Sequence, residues 1–188
     1  MIAPETVILK VLAKAQTSKQ KVLKTKLVKL VYLVDYLYFQ SYGETATGFH
    51  YQWDHHGPNA IGNAIVDTAN GLARKHKIRS LIGENPQGLE TITYVIEPSV
   101  GVPEAPATLE VIVDDVMRKY GHMTVAQVTK ASKETAPFKT ARQYQVLVME
   151  KNSPAVLSTA ADAEAYLKDL AKSGTTSLED IKKLYHVA

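Results

Sequence analysis

The chain has 188 residues, 45% hydrophobic and 22% charged, a composition that fits one soluble globular domain with a substantial core. It contains no cysteine, which excludes disulfide staples, thiolate metal sites and cysteine nucleophiles. The net charge is +3, but it is spread unevenly. Lys10, Lys14, Lys19, Lys21, Lys24, Lys26 and Lys29 face one acid, Glu5, whereas Glu84, Glu90, Glu97, Glu104, Glu110, Asp114 and Asp115 lie in a span without lysine or arginine. Such segments either pair in the fold or form patches that steer charged partners, and a plainly solvated surface is the alternative. Residues Met1 to Glu5 lack a basic stretch followed by a long apolar run, so no signal peptide or membrane anchor is expected and the predicted location is cytoplasmic.

Pro4 opens a first helix carrying Val7, Ile8, Val11, Leu12 and Ala15, and Lys19 to Lys24 forms the connection out of it. Leu27, Leu30, Val31, Val34, Leu37 and Tyr38 then recur at three- and four-residue spacing, which predicts a helix with one buried face. Gly43 is its C-cap, because glycine enters the left-handed conformation without a steric penalty. Phe49, Tyr51 and Trp53 alternate with His50, Gln52 and Asp54, the period of a strand with an aromatic face and a polar face. Gly57-Pro58 turns the chain into a further helix marked by Ile61, Ile65, Ala69 and Leu72, with a basic tail at Arg74, Lys75 and Lys77.

Ile78 to Ile82 and Thr91 to Glu97 flank Asn85-Pro86-Gln87-Gly88, which predicts an antiparallel hairpin with the Phe49 to Trp53 strand beside it. After the stiff connector Val102 to Pro106, a helix carries Leu109, Ile112, Val113, Val116 and Met117 and ends at Tyr120-Gly121. Thr124 and Gln127 have capping-box spacing, so a short helix starts there. Gln143 to Glu150 is compatible with a strand or a helix, and the helix is the expected form. Beyond Lys151 to Pro154, Ala163, Tyr166, Leu167 and Leu170 mark one helix and Ile181, Leu184 and Tyr185 a final turn, expected to dock as an extension. The predicted architecture is an α+β, mostly helical single domain with a small antiparallel β-sheet, residues 1–150, plus a C-terminal helical extension, residues 151–188.

Two blocks resemble the SocA-like, or Panacea, antitoxin family. The first comprises Lys29 to Leu33, Asp35, Tyr42-Gly43, Tyr51-x-Trp53 and Gly57-Pro58, where the family has a KLVYL-D helix, a YG stop, an aromatic strand and a GP turn. The second is KYGHMTVAQVTKASKETAP, Lys119 to Pro137, with Ala131-Ser132 and Ala136-Pro137 where relatives often have Thr-His and Gly-Pro. The resemblance implies an antitoxin whose partner is a cognate toxin protein, with a protease or chaperone as a further partner. Some members of the family inhibit their toxin by direct association, and SocA delivers its toxin to a protease. No enzyme activity and no cofactor are expected, and no motif specifies the oligomeric state.

Three chemistries compete with binding. His50, Asp54, His55 and His56 are the densest set of potential metal ligands, and a strand would align His50, Asp54 and His56, the basis of a metal-dependent enzyme reading; without an HExxH-like spacing, no metal site is expected. Thr124 to Ala131 followed by Phe138 to Tyr144 could be arranged as a helix-turn-helix, with Lys130, Lys133, Lys139 and Arg142 on phosphates, but Pro137 breaks the spacing. Asp35, within an apolar run, needs a hydrogen-bonded partner or a function. Tyr38 is expected in the core, and Tyr32 and Tyr36 at the surface. The expected partner-binding residues are Tyr32, Asp35, Tyr36, His50, Gln52, Asp54, His55 and His56.

Overall fold

The apolar residues between Lys24 and Tyr42 are too dense to serve a single face, and in the computed structural model, which describes residues 2–150, they form the central helix. Pro4–Thr17 is α1 and Lys24–Tyr42 is α2. Every residue of α2 from Lys26 to Asp35 is buried, because α1, α3 (Ala64–Arg74), α4 (Ala107–Tyr120) and α5 (Val125–Lys133) all pack on it. A helix apolar around most of its circumference is enclosed rather than half-exposed, so the single buried face expected for α2 is corrected to burial on all sides. Tyr38 lies in the core, as expected.

Local signals set the helix ends. Gly43 has φ 81° and its N–H caps Phe39 O at 2.8 Å. Thr124 and Gln127 form the reciprocal capping box at the start of α5, with Gln127 Oε1 accepting from Thr124 N–H at 2.8 Å. The opposed charge segments meet in part: Lys10 pairs with Glu110, and Lys14 with Asp114 at 2.6 Å, along the α1–α4 contact.

Among the described residues the strands form two sheets of two strands each and about 50% of the residues are helical, so the domain is mostly helical α+β. Tyr51–Gln52 (β1) pairs antiparallel with Asn59–Ala60 (β2), and Ile78–Glu84 (β3) pairs with Glu90–Ile96 (β4) in the register Ile78 to Ile96. The aromatic strand therefore does not join the hairpin. Gly57, at φ 88°, turns the chain back so that Pro58 leads into β2, and α3 begins only at Ala64 after a tight turn at Ile61–Asn63. Ile61, expected on the apolar face of that helix, is 42% exposed.

The expected helix at Gln143 to Glu150 is also overturned. Ala136–Thr140 (α6) stops early, Tyr144 has φ 63°, and the chain then runs extended beside β1. Leu147 N–H donates to Tyr51 O at 2.7 Å and Trp53 N–H to Gln145 O at 2.8 Å. The buried β1 backbone needs partners on both sides, and this segment supplies one of them. The expected helices in 151–188 lie outside the described residues. Among the described residues no helix is long and apolar enough to cross a membrane.

Leu30 has no exposed surface. Leu30→Ala should destabilise the fold by about 2–5 kcal/mol in urea denaturation. A loss below about 1 kcal/mol would mean that α2 is not the packing axis.

Candidate functional site

A buried polar stripe runs along α2 at every third residue: Lys26, Lys29, Tyr32 and Asp35. At 3.6 residues per turn each member lags the last by about 60°, so the stripe winds around the helix and meets a different segment at each step. Lys26 Nζ donates to Gly121 O at 2.6 Å, and Lys29 Nζ to Pro58 O at 2.7 Å. Tyr32 OH bonds Thr135 Oγ1 at 2.6 Å, and Thr135 Oγ1 donates in turn to Ser132 O at 2.8 Å. Asp35 accepts from Thr47 N–H at 2.9 Å, from the Thr47 hydroxyl and from Tyr51 OH at 2.6 Å.

Desolvation outweighs those donors and raises the Asp35 carboxyl to about 6; burial, followed by the Asp35 charge, pushes the Tyr51 hydroxyl up. Burial lowers the Lys29 ammonium to about 8 despite the attraction of Asp54. These groups tie loops to the helix. Tyr32 and Asp35 have no exposed surface, so both are removed from any partner-binding face. Tyr36 is half-buried and stacks on Tyr32 at 6.3 Å, rather than standing free at the surface.

The Trp53 to Pro58 loop is held from two directions. Lys29 grips Pro58 from α2, and Lys133 Nζ donates to His55 O at 2.6 Å from α5. Inside the loop, Asp54 Oδ1 accepts from His56 N–H and Asp54 O from Gly57 N–H, both at 2.8 Å. A Cβ on Gly57 would lie 3.1 Å from Ser132 Oγ, so glycine satisfies both the left-handed φ and the close approach of α5. Trp53 stacks on Phe138 at 5.3 Å with 14° between the rings.

His55 stands outside this clamp with its ring edge-on to Trp53 and Tyr144. Gln143 Nε2 lies 2.8 Å and Tyr144 OH 3.2 Å from His55 Nε2. With the Gln143 amide assigned as donor, that ring nitrogen accepts and the proton sits on Nδ1. His55, His56, Gln143 and Tyr144 are exposed, Tyr144 by 64%. Exposed Lys130, Lys139 and Arg142 and half-buried Lys133 make the surroundings basic, with Glu134 pairing Lys139 at 2.5 Å.

His50 is exposed and Gln52 and Asp54 are half-buried, but β1 ends at Gln52, so no strand aligns His50, Asp54 and His56. Among the described residues no group of three or more His, Asp or Glu side chains is placed to hold a metal ion. The second helix of the helix-turn-helix arrangement is α6, which ends at Thr140 and buries Phe138 beneath Trp53. A helix this short and inward-facing leaves no recognition helix for a groove. Sequence reading missed Lys29, Lys133 and Phe138 as the clamp and Gln143 and Tyr144 as its exposed companions. The available signal was that Lys29 and Lys133 fall in the two blocks that also hold the GP turn and the short capped helix.

Residues 27–139 match the family described as antitoxin SocA-like, Panacea domain. The chain belongs to this family. No curated protein and no solved structure matches it. The Panacea match runs from Leu27 on α2 to Lys139 on α6, so it contains the whole clamp: Lys29, Gly57, Pro58, Ser132, Lys133 and Phe138. Gln143 and Tyr144 lie beyond the Panacea match, although they touch His55 within it.

Two consequences of this geometry can be measured. The Asp35 carboxyl holds its proton more tightly in the fold, at about 6, than at its ordinary 3.8, so folding takes up a proton between those values. Its contribution to stability therefore falls as pH rises from about 4 to about 6, by on the order of 3 kcal/mol. The stability difference between Asp35→Asn and the parent chain, read by urea denaturation from about pH 4 to 7, should move in favour of the variant as pH rises. A pH-independent difference would show an ordinary carboxyl. Gly57→Ala should cost about 1–3 kcal/mol through the left-handed φ and the contact with Ser132; an unchanged denaturation midpoint would mean that the turn is not clamped.

Proposed function

We propose that this protein is an antitoxin that neutralises a cognate protein toxin by binding it through the exposed His55-His56 turn and the adjoining Gln143 to Val146 segment. Membership in the SocA-like family carries the class of function, and the residues argue for the face. An aromatic and imidazole surface held rigid from beneath binds with little ordering cost, and tyrosine buries area while keeping a polar handle. The surrounding lysines and arginine speed encounter with an acidic surface. His50, Gln52 and Asp54 border this face, whereas Tyr32 and Asp35 act through the fold.

The mechanism is association rather than chemistry: the buried groups of the α2 stripe are all engaged in holding loops. Inhibition by occlusion and delivery to a protease both begin with this contact. Co-expression with the toxic product of an adjacent gene should restore growth. The pair His55→Ala and Tyr144→Ala should weaken toxin affinity by about tenfold or more while leaving the thermal midpoint unchanged. Undiminished neutralisation by the double variant would remove this face from the interface, and arrested growth despite soluble parent protein would reject that toxin pairing.

A further inference from the structure

Among the described residues the β3–β4 hairpin is protected on one edge only. Asn85 N–H donates to Leu89 O at 2.9 Å and Glu97 N–H to Lys77 O at 3.1 Å, which makes the odd-numbered residues of β3 the ones bonded to β4. The N–H and C=O of Ser80, Ile82 and Glu84 therefore point away from the hairpin. The far edge of β4 is covered by the chain itself, since Leu23 bridges Thr93 and Tyr94 N–H donates to Val22 O at 3.1 Å. Among the described residues nothing equivalent covers β3, and every residue of it after Ile78 is exposed.

Ile82 is 73% exposed, yet it shares a face with buried Ile78, Tyr94 and Ile96 and sits opposite Ile92. The apolar face of the hairpin thus extends past the core. An exposed, regular edge of this kind is a template for another strand.

We infer that β3 pairs antiparallel with β3 of a second copy of this chain, in the register that sets Ile82 against its own counterpart. The charges along the hairpin favour that partner. Its tip carries Glu84 and Glu90, and its root carries Arg74, Lys75, Lys77 and Arg79. Lys75 and Arg79 have partners in Glu5 and Glu97, whereas Arg74 and Lys77 have no acidic partner among the described residues. Antiparallel pairing sets the acidic tip of one copy toward the basic root of the other along the strand, with Glu84 and Glu90 on the Ile82 face and Lys77 and Arg79 on the opposite one, whereas parallel pairing would put the acids together on one face.

Side chains agree with the register. Leu81 falls beside the second copy's Gly83, which has no side chain to oppose it, and Ser80 faces the second copy's Glu84. Shifting by one residue pair would instead set Ile78 against Glu84. The surface shares no residue with the proposed toxin face, so the two ideas stand or fall separately.

In size exclusion with light scattering, the full chain should show a concentration-dependent dimer. Ile82→Lys should raise its dissociation constant at least about tenfold. The chain has no other cysteine, so Ile82→Cys reports the register directly: a hydrogen-bonded antiparallel pair sets Cα atoms about 5.5 Å apart, within the range a disulfide spans. With an added oxidant or a short bis-maleimide, Ile82→Cys should link two chains, while Val111→Cys, 65% exposed on α4, should not. A monomer at every concentration, a dimer indifferent to Ile82→Lys, or equal linking at both cysteines would overturn the inference.

Discussion

The enclosure of α2 from Lys26 to Asp35 is the constraint on which the rest of the domain depends. This stretch, buried on every side, still carries Lys26, Lys29, Tyr32 and Asp35, and each buried polar group needs a partner inside the protein. None of the partners lies on α2 itself. Gly121 follows α4, Pro58 ends the histidine turn, Thr135 lies between α5 and α6, Thr47 precedes β1 and Tyr51 begins it. Because the stripe winds around the helix, one short sequence interval fixes segments that are remote from one another in the chain.

This arrangement explains how irregular backbone becomes a defined surface. The Trp53 to Pro58 loop has few backbone hydrogen bonds of its own, yet two ammonium groups hold its carbonyls and Trp53 is stacked on Phe138. The exposed His55 is then oriented by Tyr144 and Gln143. Buried parts of this assembly lie within the region that matches the family, whereas Gln143 and Tyr144 lie outside it. That division suits the proposed antitoxin role, in which a shared scaffold carries a partner face of its own, since fold does not fix partner.

Much of the fold was legible because it rests on local rules. Pro4 opens α1, Gly43 closes α2, Thr124 and Gln127 cap α5, and the alternation around Asn85 to Gly88 makes the hairpin. These signals act within a few residues, where steric and hydrogen-bond preferences are strong. The site was less legible. Tyr32 and Tyr36 have the same helical spacing, but only their neighbours from α5, α6 and β1 decide that one is buried and the other half-buried.

The sequence by itself determined where α1, α2, α4, α5 and the hairpin lie, which family the chain resembles, and that no cysteine chemistry operates, because each follows from residue identity and short-range spacing. Only the tertiary structure decided that Asp35 and Tyr32 serve the interior, that Gly57 turns the chain back into β2, and that Gln143 to Glu150 lies extended along β1. Each of these outcomes satisfies a buried polar group with a partner from a distant segment, and no local pattern encodes where that partner is.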